Sequence, residues 1–155
     1  KSLKATNIAL VEYNEKGDRI VLSASSKCLE KLGWKADKGN VPSAYLTGFL
    51  LGRMAKGKGI QSAILDIGLN SSVKSSRIYS AVAGAIDAGM SIPQSREILP
   101  PKERIRGMHI AKYAEELKKD KDKYEKQFRT YLKNNLDPAN LPNHFEEIKN
   151  KIMEK

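Results

Sequence analysis

The first 26 residues alternate between apolar and polar positions in two runs. Residues 3–13, LKATNIALVEY, and residues 19–26, RIVLSASS, are rich in apolar and β-branched side chains, and the turn sequence NEKGD separates them. Alternation with a period of two places apolar side chains on one face of a strand. Two such runs around a glycine-containing loop predict an antiparallel β-hairpin.

The pattern then changes to helical spacing. A helix is predicted from Val41, because Asn40 can cap it and Pro42 fits its first turn. Its apolar residues recur every three or four positions: Tyr45, Leu46, Phe49, Leu50 and Met54. Residues 60–68, IQSAILDIG, form a short apolar run typical of a strand buried on both faces. Residues 76–89, SRIYSAVAGAIDAG, predict a second helix that ends at Gly89.

The predicted order is β-β-α-β-α, which indicates an α/β fold with a small mixed sheet and packed helices. The last strand is expected to run parallel to a neighbour through a helical crossover. Because this sheet is narrow, we expect a further strand before Lys1 that pairs with residues 4–13. The first domain is assigned to residues 1–100.

Residues 101–155 form a separate class of sequence, and we assign them to a C-terminal helical extension. They read as charged helices with thin apolar stripes, which are too sparse for an independent core. We expect these helices to pack on the first domain or on a partner. The stripe residues are Ile110, Tyr113, Leu117, Tyr124, Phe128, Tyr131 and Leu132.

Composition narrows the class of protein. Hydrophobic residues make up 40% of the 155 residues, as in a folded soluble protein, and no apolar run is long enough to span a membrane. Cys28 is the only cysteine, which excludes an intrachain disulfide and a cysteine-ligated metal, and favours a reducing cytosol. The net charge of +10 favours a polyanionic partner, above all nucleic acid.

The sequence GLNSSVKSS, residues 68–76, resembles a nucleotide-binding P-loop at first sight. It lies between a predicted strand and a helix, but Val73 occupies the position where the P-loop needs its second glycine. A β-branched residue resists the positive φ required there, which argues against a nucleoside triphosphate site. Lys74 and Arg77 beside a helix N-terminus still favour a phosphate, including that of an RNA backbone, against the alternative of a plain solvated loop.

Other candidate sites have weaker signals. Asp66, Asp87 and Glu12 would have to converge to serve a metal-dependent nuclease, and their spacing does not require it. Asp66 is equally explained as a strand-end residue bound to backbone N–H groups. Neither His109 nor His144 has the spacing of a metal site. Packing or a surface position is therefore expected for both, with a phosphate contact as the alternative for His109.

The small residues of the first predicted helix and two aromatic residues each allow two interpretations. Gly48 and Gly52 form a G-x-x-x-G pattern in a stretch too short for a membrane span, so we expect close packing of this helix instead. Trp34 and Tyr13 could stack on an unpaired base, although aromatic residues are more often buried.

Five segments, taken together in this order and spacing, resemble a known family. They are GW followed by GNVPSAYLTGFLLG, AILDIGLNSS, GAIDAGMSIPQS, RIRGMHIAKYAEEL and LPNHFEEIK. They resemble the archaeal form of large-subunit ribosomal protein eighteen, the 5S rRNA-binding family whose eukaryotic relative is large-subunit ribosomal protein five. The family usually carries an Arg-rich arm and a first strand before the position of Lys1, and often a glycine where this chain has Ser75.

The resemblance implies a structural protein of the large ribosomal subunit that binds 5S rRNA and helps attach it to the central protuberance. It also implies contacts with large-subunit rRNA and neighbouring ribosomal proteins in the cytoplasmic ribosome, and no catalytic activity, cofactor, metal or small-molecule substrate. The alternatives are a metal-dependent nuclease of an RNase-H-like α/β fold and a protein adaptor that works through the C-terminal helices. The residues predicted to contact rRNA are Lys1, Lys4, Lys27, Lys74, Arg77, Arg104, Arg106, His109 and Lys112.

Overall fold

The structure, a computed structural model, describes residues 1–154. It contains two strands, β1 (Asn7–Glu12) and β2 (Arg19–Ser25), and seven α-helices within these residues. The helices are α1 (Val41–Gly57), α2 (Arg77–Asp87), α3 (Lys102–Arg106), α4 (Met108–Leu117), α5 (Lys121–Gln127), α6 (Arg129–Lys133) and α7 (Leu141–Met153). Short 3₁₀ helices occupy Ser26–Leu32, Arg96–Ile98 and Pro138–Asn140. The predicted α/β class with a C-terminal helical extension is confirmed.

The predicted hairpin is present. β1 and β2 pair antiparallel, with Leu10 opposite Leu22, and a bulge follows Leu10. Ile8 and Leu10 of β1 face the same way as Leu22 and Ala24 of β2, against a small apolar cluster that also includes residues of α1 and α2. The alternation read from the sequence therefore identifies the buried face of the hairpin correctly.

The predicted third strand is wrong as a strand buried on both faces. Residues 60–68 form no regular strand, and their pairing is limited to an isolated parallel bridge between Ser62 and Ser91. Ala63 and Leu65 are half-buried, whereas Ile64 between them is 90% exposed. Half-buried and exposed side chains thus alternate along the segment, which has one partly buried face and one face in solvent. The expected strand before Lys1 lies outside the described residues, within which β2 is the only partner of β1.

Helices α1 and α2 run parallel and touch along their backbones. The contacts advance together along both helices: Gly48 faces Ala81, and Gly52, one turn later, faces Ala85 and Ala88. A Cβ at Gly48 would overlap the Ala81 carbonyl oxygen, and one at Gly84 would overlap the Tyr45 carbonyl oxygen. Close packing, predicted from the small residues, is confirmed.

Helix α7 is also parallel to α1 and packs against it. Leu141 at its start and Pro42 of α1 both contact Gly107, the Phe145 ring lies 5.4 Å from the Tyr45 ring, and Met153 contacts Arg53 near the end of both helices. α1 is buried along its first nine residues, 41–49, because it packs between the sheet, α2 and α7.

The C-terminal helices share the main core with α1. Phe128, Tyr131, Phe145 and Ile148 lie in one apolar cluster with Leu46 and other residues of the first hundred. The apolar stripes of the C-terminal helices therefore pack on the first hundred residues of the chain. The assignment of two domains divided at residue 100 stays a prediction. No helix of the described residues has both the length and the apolar character needed to cross a membrane.

Candidate nucleic-acid interface

The parallel arrangement brings the N-terminal ends of α1, α2 and α7 to one end of the molecule, which we call the N-terminal pole. At this pole Ser80 Oγ of α2 donates to the Val41 carbonyl of α1 at 2.9 Å. Gly107, between α3 and α4, contacts Pro42 of α1 and Leu141 of α7. Each helix carries partial positive charge at its N-terminus, so three such ends together favour a negatively charged partner.

The three helix ends are capped differently. In α1 the Asn40 side chain accepts a hydrogen bond from the Ser43 N–H at 2.9 Å, which confirms the predicted cap. In α2 the N-cap residue Ser76 makes no capping bond, and its buried hydroxyl oxygen has no hydrogen-bond partner within residues 1–154. The first turn of α2 therefore keeps backbone N–H groups that are not bound by its own cap.

Arg77 at the start of α2 holds the surrounding loops together. Its Nη1 donates to the Gly39 carbonyl at 2.7 Å and to the Leu3 carbonyl at 3.4 Å. These bonds use one end of the guanidinium and fix the N-terminal segment and the α1 loop against α2. The positive charge of Arg77 lies at the N-terminal pole in addition to this structural role. Its contact with rRNA stays a prediction.

The loop that leads to α2 does not form a P-loop cradle. Val73 keeps a negative φ, as its β-branched side chain requires, and the left-handed conformation falls on Gly68 and Ser75 instead, with φ of 53° and 57°. The Ser75 N–H donates to the Ile98 carbonyl at 2.9 Å, which leaves it unable to bind a phosphate. Lys74 is exposed beside it, so the loop offers a free cation without a ring of amides.

Three predicted lysines lie on the segments that border this pole. Lys4 follows Leu3, whose carbonyl is bound by Arg77. Lys27 follows Ser26, whose hydroxyl accepts from the Thr6 N–H at 3.0 Å. Lys1 precedes Ser2, whose N–H donates to the Ala5 carbonyl at 2.9 Å. All three lysines are exposed, which is compatible with phosphate contact.

The four predicted residues of α3 and α4 differ in charge state. Arg104 and Lys112 are exposed and have no acidic partner among residues 1–154. Arg106 is paired through Nε with Glu146 of α7 at 2.9 Å, so part of its charge is neutralised within the protein. Burial and the nearby Arg104 hold the pKa of His109 below its usual value, which makes it a neutral hydrogen-bonding group near pH 7.

Trp34 is not available for base stacking. It is buried, and its ring stacks on His144 with centroids 5.2 Å apart, while its indole N–H donates to the Asp37 carbonyl. Of the two alternatives for Trp34, the structure shows burial, because its ring packs in the core. Tyr13 is 82% exposed, and its contact with a base stays a prediction.

His144 is a packing residue, as expected. The Lys35 backbone N–H donates to its Nε2 at 3.1 Å, so the ring proton sits on Nδ1, which lies 3.3 Å from Glu147. The contact ties α7 to the loop before α1.

The acidic residues singled out from sequence do not converge. Asp66 accepts a hydrogen bond from the Gly68 N–H at 2.7 Å, as the structural alternative anticipated. Asp87 accepts from the Tyr45 hydroxyl at 2.6 Å, and Glu12 ends β1. Within residues 1–154, His, Cys, Asp and Glu form no group of three or more that could hold a metal ion. The geometry required for a two-metal nuclease is therefore not assembled by these residues.

A second group of cations combines Arg53 and Lys56, for which the sequence leaves open a solvated face or phosphate contact, with Lys149, which the sequence does not connect with them. Arg53 and Lys56 of α1 and Lys149 of α7 line one cleft at the opposite end of the parallel helices. The spacing of Arg53 and Lys56 indicates a shared helix face, but nothing in the sequence near Lys149 shows that it joins them. Only the packing of α7 on α1 does.

These features define a class: a basic α/β protein with a helical extension and cations gathered around helix N-termini. No protein-family model matches the chain. It is 47% identical over 153 residues to the large ribosomal subunit protein uL18 of Methanococcus maripaludis, an alignment that covers 99% of this chain and 79% of that protein. The chain therefore belongs to the uL18 family of large-subunit ribosomal proteins. The predicted family, the ribosomal location and the absence of an enzymatic role are confirmed by this relationship.

Proposed function

We propose that this protein binds 5S rRNA and helps attach it to the central protuberance of the large ribosomal subunit. Membership of the uL18 family supports a structural role in that subunit with rRNA and ribosomal proteins as partners. The observation that carries the choice of surface is the N-terminal pole, where three helix N-termini meet beside Lys74 and Arg77.

The N-terminal pole suits an RNA backbone better than a single nucleotide. Its cations are spread over the N-terminal segment, the loop before α2 and helices α3 and α4, and they do not line one enclosed pocket. Phosphate contacts distributed in this way position a protein on RNA without reading its sequence. His109, kept neutral by its surroundings, can add a hydrogen bond without adding charge.

The salt dependence of affinity tests this proposal. Each neutralised phosphate releases bound counterions, so log Kobs for 5S rRNA should fall linearly with log salt, by about 0.7 to 0.9 per phosphate. Lys74→Gln combined with Arg104→Gln should weaken binding and lower the slope by about 1.5. Transfer RNA serves as the competitor that separates specific from general RNA affinity.

The matched control is the double variant Lys119→Gln, Lys126→Gln, which removes the same charge from two exposed lysines elsewhere. It should bind 5S rRNA nearly as the parent protein does. A salt-independent affinity, or equal losses in the two double variants, would contradict the proposal, because the pole would then have no special part in binding.

A further inference from the structure

The N-terminal segment, residues 1–4, carries two of the lysines predicted to contact rRNA, Lys1 and Lys4. All four of its side chains are exposed, and that of Leu3 is 86% exposed. Burial begins at Ala5, which is 3% exposed. Because no apolar side chain of the segment is buried, its place on the protein depends on hydrogen bonds and on close packing of its backbone.

A local turn makes this segment a unit. The Ser2 N–H donates to the Ala5 carbonyl at 2.9 Å, and the Ala5 N–H donates to the Ser2 hydroxyl at 3.1 Å. A serine hydroxyl that binds a nearby backbone group in this way stabilises a turn. Lys1 precedes Ser2 and Lys4 precedes Ala5, so the position of the turn decides where both charges lie.

Two residues from elsewhere in the chain hold this turn against the protein. The Arg77 guanidinium donates from Nη1 to the Leu3 carbonyl at 3.4 Å and to the Gly39 carbonyl at 2.7 Å, so it bridges two backbone segments. Gly39 permits their close approach, because a Cβ there would lie 2.5 Å from the Leu3 carbonyl oxygen and 3.4 Å from the Lys4 Cα. We call Arg77 and Gly39 the clasp.

The loop that contains Gly39 is the fixed side of the clasp. The Lys35 N–H donates to His144 at 3.1 Å, and the Lys35 carbonyl accepts from the Asn134 side chain at 2.7 Å. Asn40, next to Gly39, caps α1. The loop is thus bound to α1, to α7 and to the end of α6, whereas the N-terminal segment has no buried side chain to hold it. A methyl group at Gly39 would therefore displace the segment and leave the loop in place.

We propose that Arg77 and Gly39 are positioning residues for RNA binding: the clasp sets Lys1 and Lys4 at the N-terminal pole, where both lysines contact 5S rRNA. This role rests on the proposed function, because it takes 5S rRNA as the ligand of the pole. Lysines on a segment that is already ordered bind with a smaller loss of conformational freedom. Arg77 acts through the backbone of the N-terminal segment, so its removal should cost more than its own charge.

A neutral substitution separates positioning from direct contact. Gly39→Ala removes no charge, yet it should lower affinity for 5S rRNA about fivefold and reduce the slope of log Kobs against log salt by as much as about 1.5, the amount for two phosphates. Lys1→Gln with Lys4→Gln should produce similar losses. Gly57→Ala is the matched control, since no atom lies within 4 Å of a Cβ there, and it should leave affinity and slope unchanged.

The two losses should not add. In the Lys1→Gln, Lys4→Gln background, Gly39→Ala should change neither affinity nor salt slope further, because it acts only through these lysines. Arg77→Gln should reduce the slope of the parent protein by more than the value of about 0.7 to 0.9 for one phosphate. Additive losses, or a loss of affinity in Gly39→Ala with an unchanged slope, would overturn the proposal.

Cleavage by trypsin after Lys4 tests the clasp without RNA. The cleaved bond leads into the buried Ala5, so cleavage requires the segment to open locally. Gly39→Ala and Arg77→Gln should be cut there at least about fivefold faster than the parent and Gly57→Ala, as mass spectrometry of the fragments measures. Equal rates would overturn the clasp. Faster cleavage in a protein whose parent form does not bind 5S rRNA would instead refute the proposed function, and with it the role of the lysines, while the clasp itself would stand.

Discussion

The helices and the sheet side of this protein differ in how far their apolar residues are buried. On the helical side α1 is enclosed, and its first nine residues are all buried between α2, α7 and the hairpin. In and beside the hairpin large apolar residues are open to solvent, including Ile20 of β2 at 66% and Ile64 of residues 60–68 at 90%. The same chain therefore combines a closed core with a partly uncovered sheet.

The reason lies in how the two kinds of element satisfy their backbones. A helix makes its hydrogen bonds internally and needs neighbours only to bury its apolar face. A strand needs a neighbouring strand for its N–H and C=O groups, and β1 has one such neighbour among residues 1–154. Residues 60–68 have the side-chain pattern of a strand, but among residues 1–154 their pairing is limited to the bridge with Ser91, which the Ala63 N–H and the Gln61 carbonyl form.

The largest expected effect is a substitution at the α1–α2 contact. Gly84→Val would drive its side chain into the Tyr45 carbonyl and the Phe49 backbone nitrogen, neither of which can move without shifting α1. We expect a loss of at least about 4 kcal/mol, as for severe overpacking of a core. Chemical denaturation measures it, and Gly57→Ala is the control, since no atom lies within 4 Å of a Cβ there. Equal stability of the two variants would contradict the described contact.

A matched pair of isoleucines compares the two sides directly. Ile148 of α7 is fully buried, so Ile148→Ala should cost about 3 kcal/mol of unfolding free energy. Ile64→Ala should change the unfolding free energy by less than about 0.5 kcal/mol, because its side chain is already in water. Thermal and denaturant unfolding of both variants gives the comparison. A large loss at Ile64 would show that residues 60–68 are buried, as the sequence had predicted.

The contact between α7 and the loop before α1 should make stability depend on pH. Burial holds the pKa of His144 below its ordinary 6.5, although Glu147 opposes the shift. Because the unfolded state binds the proton more readily, stability is fully present above pH 6.5 and declines as the pH falls toward the folded pKa. Melting temperatures between pH 5 and 8 should show this decline.

In the His144→Gln variant, stability should decline less as the pH falls, because His144 no longer takes up a proton. In the His109→Gln variant, the part of the decline that is due to His144 should remain. A pH profile identical in the parent and His144→Gln proteins would contradict the assignment. The depressed pKa values of Asp137 and Glu147 contribute in a lower range, below their ordinary values, as these carboxylates become protonated.

The smallest effect concerns Ser75, which holds a left-handed conformation with φ of 57°. Glycine adopts this conformation without steric cost. In Ser75→Gly the strain of the left-handed conformation is removed, while the greater freedom of glycine in the unfolded chain opposes the gain. The net effect should stabilise the protein by about 0.5 kcal/mol. The Ser76→Gly control, at a residue with φ of −77°, should give no gain. A loss at Ser75 would show that its side chain, rather than its backbone, matters.

Local patterns predicted local structure well. The hairpin, the N-cap by Asn40 and the end of α2 near Gly89 each depend on residues close in sequence. The spacing of Gly48 and Gly52 likewise marks a helix face made for close packing, although the partner helix α2 is distant in sequence. The buried strand at residues 60–68 failed for the opposite reason, since the formation of a strand depends on a neighbour that the segment itself does not encode.

For the candidate sites too, the sequence predicted local features and missed contacts between residues far apart in the chain. Lys74 and Arg77 were found from a cation pattern beside a helix start, and the structure does place them at a positive helix end. The pairing of Arg106 with Glu146, the burial of Trp34 against His144 and the cleft that joins Lys149 to Lys56 all link residues far apart in sequence. No local pattern reports such contacts.

The sequence by itself determined the family, the basic character and the identity of most helices, because motif spacing, composition and helical periodicity are all properties of the linear chain. Only the tertiary structure decided which charges are free. It set α1, α2 and α7 parallel, and so gathered helix N-termini at one pole and a cation-lined cleft at the other. The physical reason is that the charge available to a partner depends on which side chains the fold has already paired or buried. The loop around Lys74 is one part of the N-terminal pole, where three helix ends and several exposed cations meet.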